Sequence, residues 1–338
     1  MELTEAIDQK FIMVIDPNSY DYGDPTSFVS SYFRDDLEVA VVAKNELGKV
    51  YYKSFSAPKD NKYSEYFSTF IQIASEFDIP IHGVIHTFGD SFLGSDPNYA
   101  VHRGGQEISQ FVCPSNGSFW KYLSTITKEV ARFSIKSLIL DEHYYPRLDY
   151  CLCRRCRVEF RKITGQDHVD LTIEDLISDE DLLFSWTDWR SELLTSSLGE
   201  IVDSFRSESP NKPINVVVPV DPELEWLTGA AMHLGVDLDV YNQMVDGVIL
   251  SIMPFSPVYP ITDTQSWLEL VQRIKVVQQK YPNLKVSLML NGLESEWDVS
   301  FFHDLAREIN AFKVFGRMSN GQLFNIKREI HRGIETPI

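Results

Sequence analysis

Little in this chain suits a membrane or secreted protein. No run approaches the ~18 consecutive apolar residues of a membrane-spanning helix. Met1–Lys10 is acidic and polar, unlike a signal peptide, and Phe11–Ile15 is too short for a signal's apolar segment. A cytoplasmic, reducing location is the expectation that follows. Basic charge is scarce: 31 Lys and Arg stand against 49 Asp and Glu, a formal net charge of −18. An acidic surface of that size disfavours nucleic acid and anionic membranes as partners. Low-complexity tracts, internal repeats and long linkers are missing. No G-x-G-x-x-G turn follows any apolar run, so the phosphate-binding signature of a doubly wound sheet is absent too. Cysteine is rare, with four in 338 residues.

What is present is a regular alternation. Eight short apolar runs read as strands: Phe11–Ile15, Val39–Ala43, Ile81–His86, Ser137–Leu140, Ile214–Val218, Gly247–Met253, Lys285–Leu290 and Phe312–Phe315. They are continuous rather than alternating, as expected for a parallel sheet buried on both faces. Amphipathic stripes separate most of them. Phe119, Leu123, Ile126, Val130 and Phe133 form one, and Trp186, Trp189, Leu193, Leu198, Ile201 and Phe205 another. Eight strands with intervening helices predict an α/β fold, a (β/α)8 barrel occupying residues 1–338 as a single domain. A doubly wound open sheet is the rival. Two connections are long, Thr87–Asn116 after the third strand and Tyr144–Asp181 after the fourth. Long loops at the C-terminal ends of barrel strands are where such folds build active sites.

The rare cysteines are not scattered. Cys151, Cys153 and Cys156 fall within six residues, and Cys113 lies in the preceding long loop. In a reducing compartment clustered cysteines bind metal more often than they form disulfides. Four thiolates make a closed tetrahedral zinc site with no open position. Zn²⁺ is therefore the expected cofactor, structural in role, holding a loop at about 144–165. A disulfide and a catalytic thiol are the competing readings. Arg154, Arg155 and Arg157 would offset the negative charge of the thiolates.

Carboxylates stand at the ends of two predicted strands. Asp141-Glu142-His143 ends the fourth, and both carboxylates can face the barrel mouth only if the strand stops or bulges there. The seventh strand runs into Asn291-Gly292-Leu293-Glu294-Ser295-Glu296, where Glu294, with Glu296 behind it, is the candidate opposing carboxylate. A capping role for Asp141 and an acidic helix start for Glu294 are the plainer alternatives. Asp16, His86, Asp90, Asp221 and Arg317 are further polar residues at strand ends. Trp226, Trp297, Phe255 and Tyr259 fall in loops at the same end, where an aromatic face stacks on a sugar ring or packs in the core.

Val112-Cys113-Pro114-Ser115-Asn116, Asp141-Glu142-His143-Tyr144, the run from Cys151 to Phe160, and Thr164-Gly165 together resemble family 42 glycoside hydrolases. These are β-galactosidase-type (β/α)8 barrels with catalytic carboxylates on strands four and seven. The resemblance spans about residues 80–200 and is shared with uncharacterised hydrolase-like barrels. It implies Cys113, Cys151, Cys153 and Cys156 as zinc ligands and Glu142 as general acid/base. It places Asp141 where the family carries an Asn that hydrogen-bonds the sugar 2-hydroxyl. It provides no counterpart of the family's trimerisation and C-terminal domains, so substrate and assembly are expected to differ, and a homo-oligomer is left open.

The expected activity is glycoside hydrolysis by two carboxylates through a retaining mechanism. Glu142 and Glu294 are the catalytic pair, and Asp141, His86, Asp16 and Trp297 contact a carbohydrate substrate. A retaining pair stands about 5–5.5 Å apart and an inverting pair about 6.5–9.5 Å. A non-catalytic barrel that binds carbohydrate or a protein is the second reading. A metal-dependent enzyme using Asp141, His143 and His86 is the third.

Overall fold

The computed structural model describes residues 11–19, 23–32, 38–103, 106–165, 170–220, 230–252, 264–290 and 305–317. Eight parallel strands close a barrel. In order around it they are β1 (Phe11–Ile15), β2 (Glu38–Lys44), β3 (Ile81–His86), β6 (Ser137–Asp141), β7 (Ile214–Pro219), β8 (Gly247–Ile252), β9 (Lys285–Leu290) and β10 (Val314–Arg317). Each apolar run of the sequence becomes one of these strands. β2 and β3 are buried along their whole length, as a sheet covered on both faces requires. The last strand begins two residues later than the sequence suggests, because Phe312 lies half outside while Phe315 is buried.

The long connection after β3 is folded, not open loop. Helices α1 (Pro25–Tyr32) and α2 (Tyr66–Glu76) come before it, and it carries the short helix α3 (Ser91–Gly94) and a hairpin of β4 (Ala100–Arg103) with β5 (Gln106–Val112). Helix α4 (Gly117–Ala131) then returns to the barrel. Asn116 caps it by accepting from Ser118 N–H, and Phe119, Leu123, Ile126 and Val130 line its buried face. After β6 come α5 (Arg154–Thr164), α6 (Ile173–Ser178) and the long α7 (Glu180–Glu208). Trp186 and Trp189 of α7 pack with Phe160 of α5, their ring centroids 4.9–5.7 Å apart. These tryptophans are packing residues. No helix among the described residues is long and apolar enough to cross a membrane.

The N-terminal end of the barrel is closed by a polar plug. Glu38 accepts from His82 Nε2 at 2.9 Å, Lys136 Nζ at 2.5 Å and Lys313 Nζ at 2.6 Å. Ser137 Oγ, 2.6 Å from His82 Nδ1, donates to the imidazole and accepts from Asn215 at 3.5 Å. Burial alone would raise the Glu38 carboxyl, but the hydrogen bonds from His82 and the two lysines hold it well below its ordinary value.

His143 lies on the outer side of the same barrel wall. Its ring is fully buried beside Phe88, Trp120 and Tyr241, and Nε2 donates to Leu194 O at 3.1 Å. Burial pushes its pKa down from 6.5 to about 4. The unfolded chain therefore takes up this proton first as pH falls. The stability due to neutral His143 is complete above pH 6.5 and is lost between there and pH 4. Urea unfolding at pH 7 and pH 5 should show His143→Phe losing about 2 kcal/mol less than the wild type over that interval. Equal losses in both proteins would refute this burial account.

Candidate active site and metal centre

The chain leaves the sheet at the end of β6. Asp141 is its last residue, and Glu142 takes a left-handed backbone with φ of 57°. That conformation is unfavourable for a residue with a side chain, and functional sites are where such strain concentrates. It resolves the facing problem of adjacent carboxylates, because the strand stops between them. Asp141 is buried and folds back to accept from the Glu142 N–H at 2.8 Å. Glu142 keeps a fifth of its side-chain surface exposed.

His86 ends the neighbouring strand, in register with Asp141. Its Nδ1 lies 3.0 Å from Glu142 Oε2, and its ring is buried. One proton can sit on either partner of this contact. With Glu142 ionised the ring donates; with Glu142 protonated the carboxyl donates to the ring. Thr87 seals the two strand ends, its N–H and hydroxyl both donating to Asp141 O at 2.8 and 2.9 Å.

Gly89 lies against the glutamate. A Cβ there would stand 1.7 Å from Glu142 Oε2 and 2.8 Å from its carboxyl carbon, closer than atoms can approach. The carboxylate is the flexible end of the pair, so Gly89→Ala should displace it while leaving the fold intact. An unchanged melting temperature with kcat/KM lowered by about a hundredfold is the expected outcome. Wild-type activity in the alanine variant would show that the carboxylate position is unimportant.

Among the described residues, Cys113, Cys151, Cys153 and Cys156 form the group whose ligand atoms converge for a metal, all within 4.8 Å of one another and all buried. The Cys113 Sγ is 3.6 Å from that of Cys153 and 3.4 Å from that of Cys156. A tetrahedron of sulfurs about 2.3 Å from a central ion has edges of about 3.8 Å, so the cluster fits one. Main-chain donors point at the sulfurs: His102 N–H at Cys151 (3.3 Å) and Cys156 N–H at Cys153 (3.4 Å). Burial pushes the Cys151 thiol well above its ordinary value, and hydrogen bonding to Cys113 pushes Cys156 up, while the Cys153 thiolate, accepting from Cys113, is held well below. A bound cation would let the other sulfurs ionise. Arg190 lies fully buried behind the cluster, its guanidinium 4.0 Å from the Tyr145 ring. It donates to Arg147 O and Leu148 O on one side and Met232 O and His233 O on the other, tying the loop to the turn at Ala230–Leu234.

No protein-family model matches the sequence, and no curated protein resembles it in sequence. Solved structures do match. The glycoside hydrolase domain of PgaB (BpsB) from Bordetella bronchiseptica superposes with a TM-score of 0.71 at 12% identity, over 96% of this chain and 98% of that one. The shared fold is a (β/α)8 barrel. The catalytic domain of β-amylase from Paenibacillus polymyxa gives 0.66 at 12% identity, covering 97% of this chain and 99% of its own. A β-galactosidase from the psychrophilic Marinomonas ef1 gives 0.66 at 11% identity over 91% of this chain and 53% of the other. Family 42 β-galactosidases are among the further matches.

On this (β/α)8 barrel, His86, Asp141 and Glu142 come together at the C-terminal strand ends. His143 does not join them, since it faces the helices. Asp16 sits at the end of β1 with both oxygens engaged: Oδ1 accepts from Tyr51 OH at 2.8 Å and Asn18 N–H at 3.0 Å, Oδ2 from Ser19 at 2.9 Å. Asn18 and Asn45 both donate to that tyrosine oxygen, so the cluster fixes the loops after β1 and β2. Glu294, Glu296, Trp297, Asp221, Trp226, Phe255 and Tyr259 lie outside the described residues. Sequence reasoning missed Gly89 and Lys44. Lys44 ends an apolar run, where a lysine reads as the solvated end of a strand, yet it is fully buried.

Proposed function

We propose that this protein is a glycoside hydrolase in which Glu142 is the general acid/base. The observation that carries this is the Glu142–His86 contact at the end of the fourth barrel strand, with Gly89 leaving room for the carboxylate. Glu142 protonates the leaving oxygen of a carbohydrate and later takes a proton from water, with His86 beside it as the partner for that proton. A glutamate after β9, Glu294 in the first instance, attacks the anomeric carbon in a retaining mechanism. Asp141, orienting the Glu142 backbone, stands near enough to share the recognition of a sugar hydroxyl. The four cysteines hold a structural zinc whose closed coordination leaves chemistry to the carboxylates. Hydrolysis of a panel of aryl glycosides by wild type and Glu142→Gln tests the assignment, and equal rates in the two proteins would defeat it.

A further inference from the structure

One charged side chain at the barrel mouth has no place in the chemistry above. Lys44 Nζ is fully buried at the end of β2 and holds a single turn: it donates to His86 O at 2.8 Å and Gly89 O at 3.0 Å and forms an ion pair with Asp90 Oδ2 at 3.2 Å. Two of the ammonium's three hydrogens go to the carbonyls of the turn and the third is directed at Asn45 O, 3.5 Å away, while Asp90 Oδ2 is held by charge. Its counter-ion Asp90 is equally buried. Asp90 Oδ1 caps α3 through Leu93 N–H at 2.9 Å, and its N–H donates to Gln110 O at 3.2 Å. The β2 loop closes over the pair: Gly48 has φ of 75°, and a Cβ on it would meet Asp90 Oδ1 at 2.0 Å.

Such a pair is a poor source of stability, because taking both charges out of water offsets their attraction. What it does well is fix geometry. The turn it holds begins with His86, whose ring touches Glu142, and ends with Gly89, whose missing side chain makes room for the same carboxylate. An apolar residue at position 44 would satisfy neither carbonyl and would leave Asp90 as a buried, unpaired charge.

We propose that Lys44, with Asp90 as its counter-ion, is the positioning residue for the Glu142–His86 pair. It acts through the backbone of the turn 86–90 and touches no substrate. The proposal rests on the reading of Glu142 as acid/base only for its kinetic consequence. Its structural content is testable without any substrate.

Nitrogen-15 spectra of the imidazoles provide that test, with His86→Gln identifying the His86 signals and Glu142→Ala giving their positions without the carboxylate. In Lys44→Met the His86 nitrogens are expected to move toward the Glu142→Ala positions. Unmoved His86 signals in a folded Lys44→Met protein would overturn the proposal. Should that variant fail to fold, Asp90→Asn keeps an acceptor for Leu93 and removes only the counter-charge, and it is read in the same way: displaced signals support the assignment, unmoved signals overturn it. On an aryl glycoside that the wild type cleaves, Lys44→Met should lower kcat by about a hundredfold with KM held within about twofold. A wild type that cleaves no glycoside defeats the reading of Glu142 and leaves the spectroscopic outcome standing.

Discussion

Glu142→Gln is expected to lower hydrolysis of a glycoside with a poor leaving group by about 10²- to 10⁴-fold, the usual worth of a positioned general acid or base. In kcat/KM, which reports the first step, the loss should shrink sharply with a dinitrophenyl leaving group, which departs without protonation. This contrast separates proton donation from mere binding, since a residue that only holds the sugar would depress both substrates alike. The glutamine is nearly isosteric and still meets His86 across 3.0 Å, so the pocket keeps its shape. What disappears is the carboxyl that can give a proton to the leaving oxygen. A retaining enzyme should then stall after the first step on the activated substrate, and added azide should restore turnover by attacking the waiting intermediate. Equal loss of kcat/KM on both substrates would assign Glu142 to binding alone.

Removing the metal is expected to have the second large effect. Wild-type protein should contain one zinc per chain, and Cys153→Ser or Cys156→Ser none. A metal present at a thousandfold over its dissociation constant stabilises the state that binds it by about 4 kcal/mol. The loss should be felt first in the loop at 144–165 and in the β4–β5 hairpin. Cys113 follows β5 directly, and the hairpin is tied to the Cys151 loop by the Leu152 N–H to His102 O bond of 3.3 Å. Limited proteolysis should therefore cut this lobe in the serine variants while the barrel retains its circular dichroism. Hydrolysis should fall as well, because β5 pairs with the turn beneath the glutamate: Phe111 bridges Gly89, and Val112 N–H donates to Phe88 O at 2.9 Å. Serine variants that keep full zinc content would show that the ion, if bound, is held elsewhere.

The barrel was legible because each strand is a continuous apolar run, a pattern set by burial on two faces. The cysteine cluster was legible too, since three of its members are neighbours in sequence and convergence needed only one further segment. The Glu142–His86 pair was not. Its members are 56 positions apart, and their contact depends on the register of β3 against β6, which places His86 opposite Asp141. Gly89 and Lys44 were hidden for a related reason. A glycine in a loop carries no sign of which atom comes close to it. A lysine closing a run of Val-Val-Ala looks solvated until Asp90, from another loop, covers it. The candidate Glu142 was found from its place at a strand end, and its backbone geometry only became apparent in three dimensions.

The polar plug has a consequence for how this protein can change. Five strands, or the residues leading into them, meet in the network around Glu38 and Ser137: β2, β3, β6, β7 and β10. Their alignment is thus anchored at the end of the barrel opposite the carboxylates. Outside the turn 86–90 and the cysteine cluster, the connections at 87–116 and 144–181 can change length without unsettling the strands that carry them. Scaffold and candidate site thus occupy opposite ends of one cylinder, and the site can be remodelled at the mouth alone.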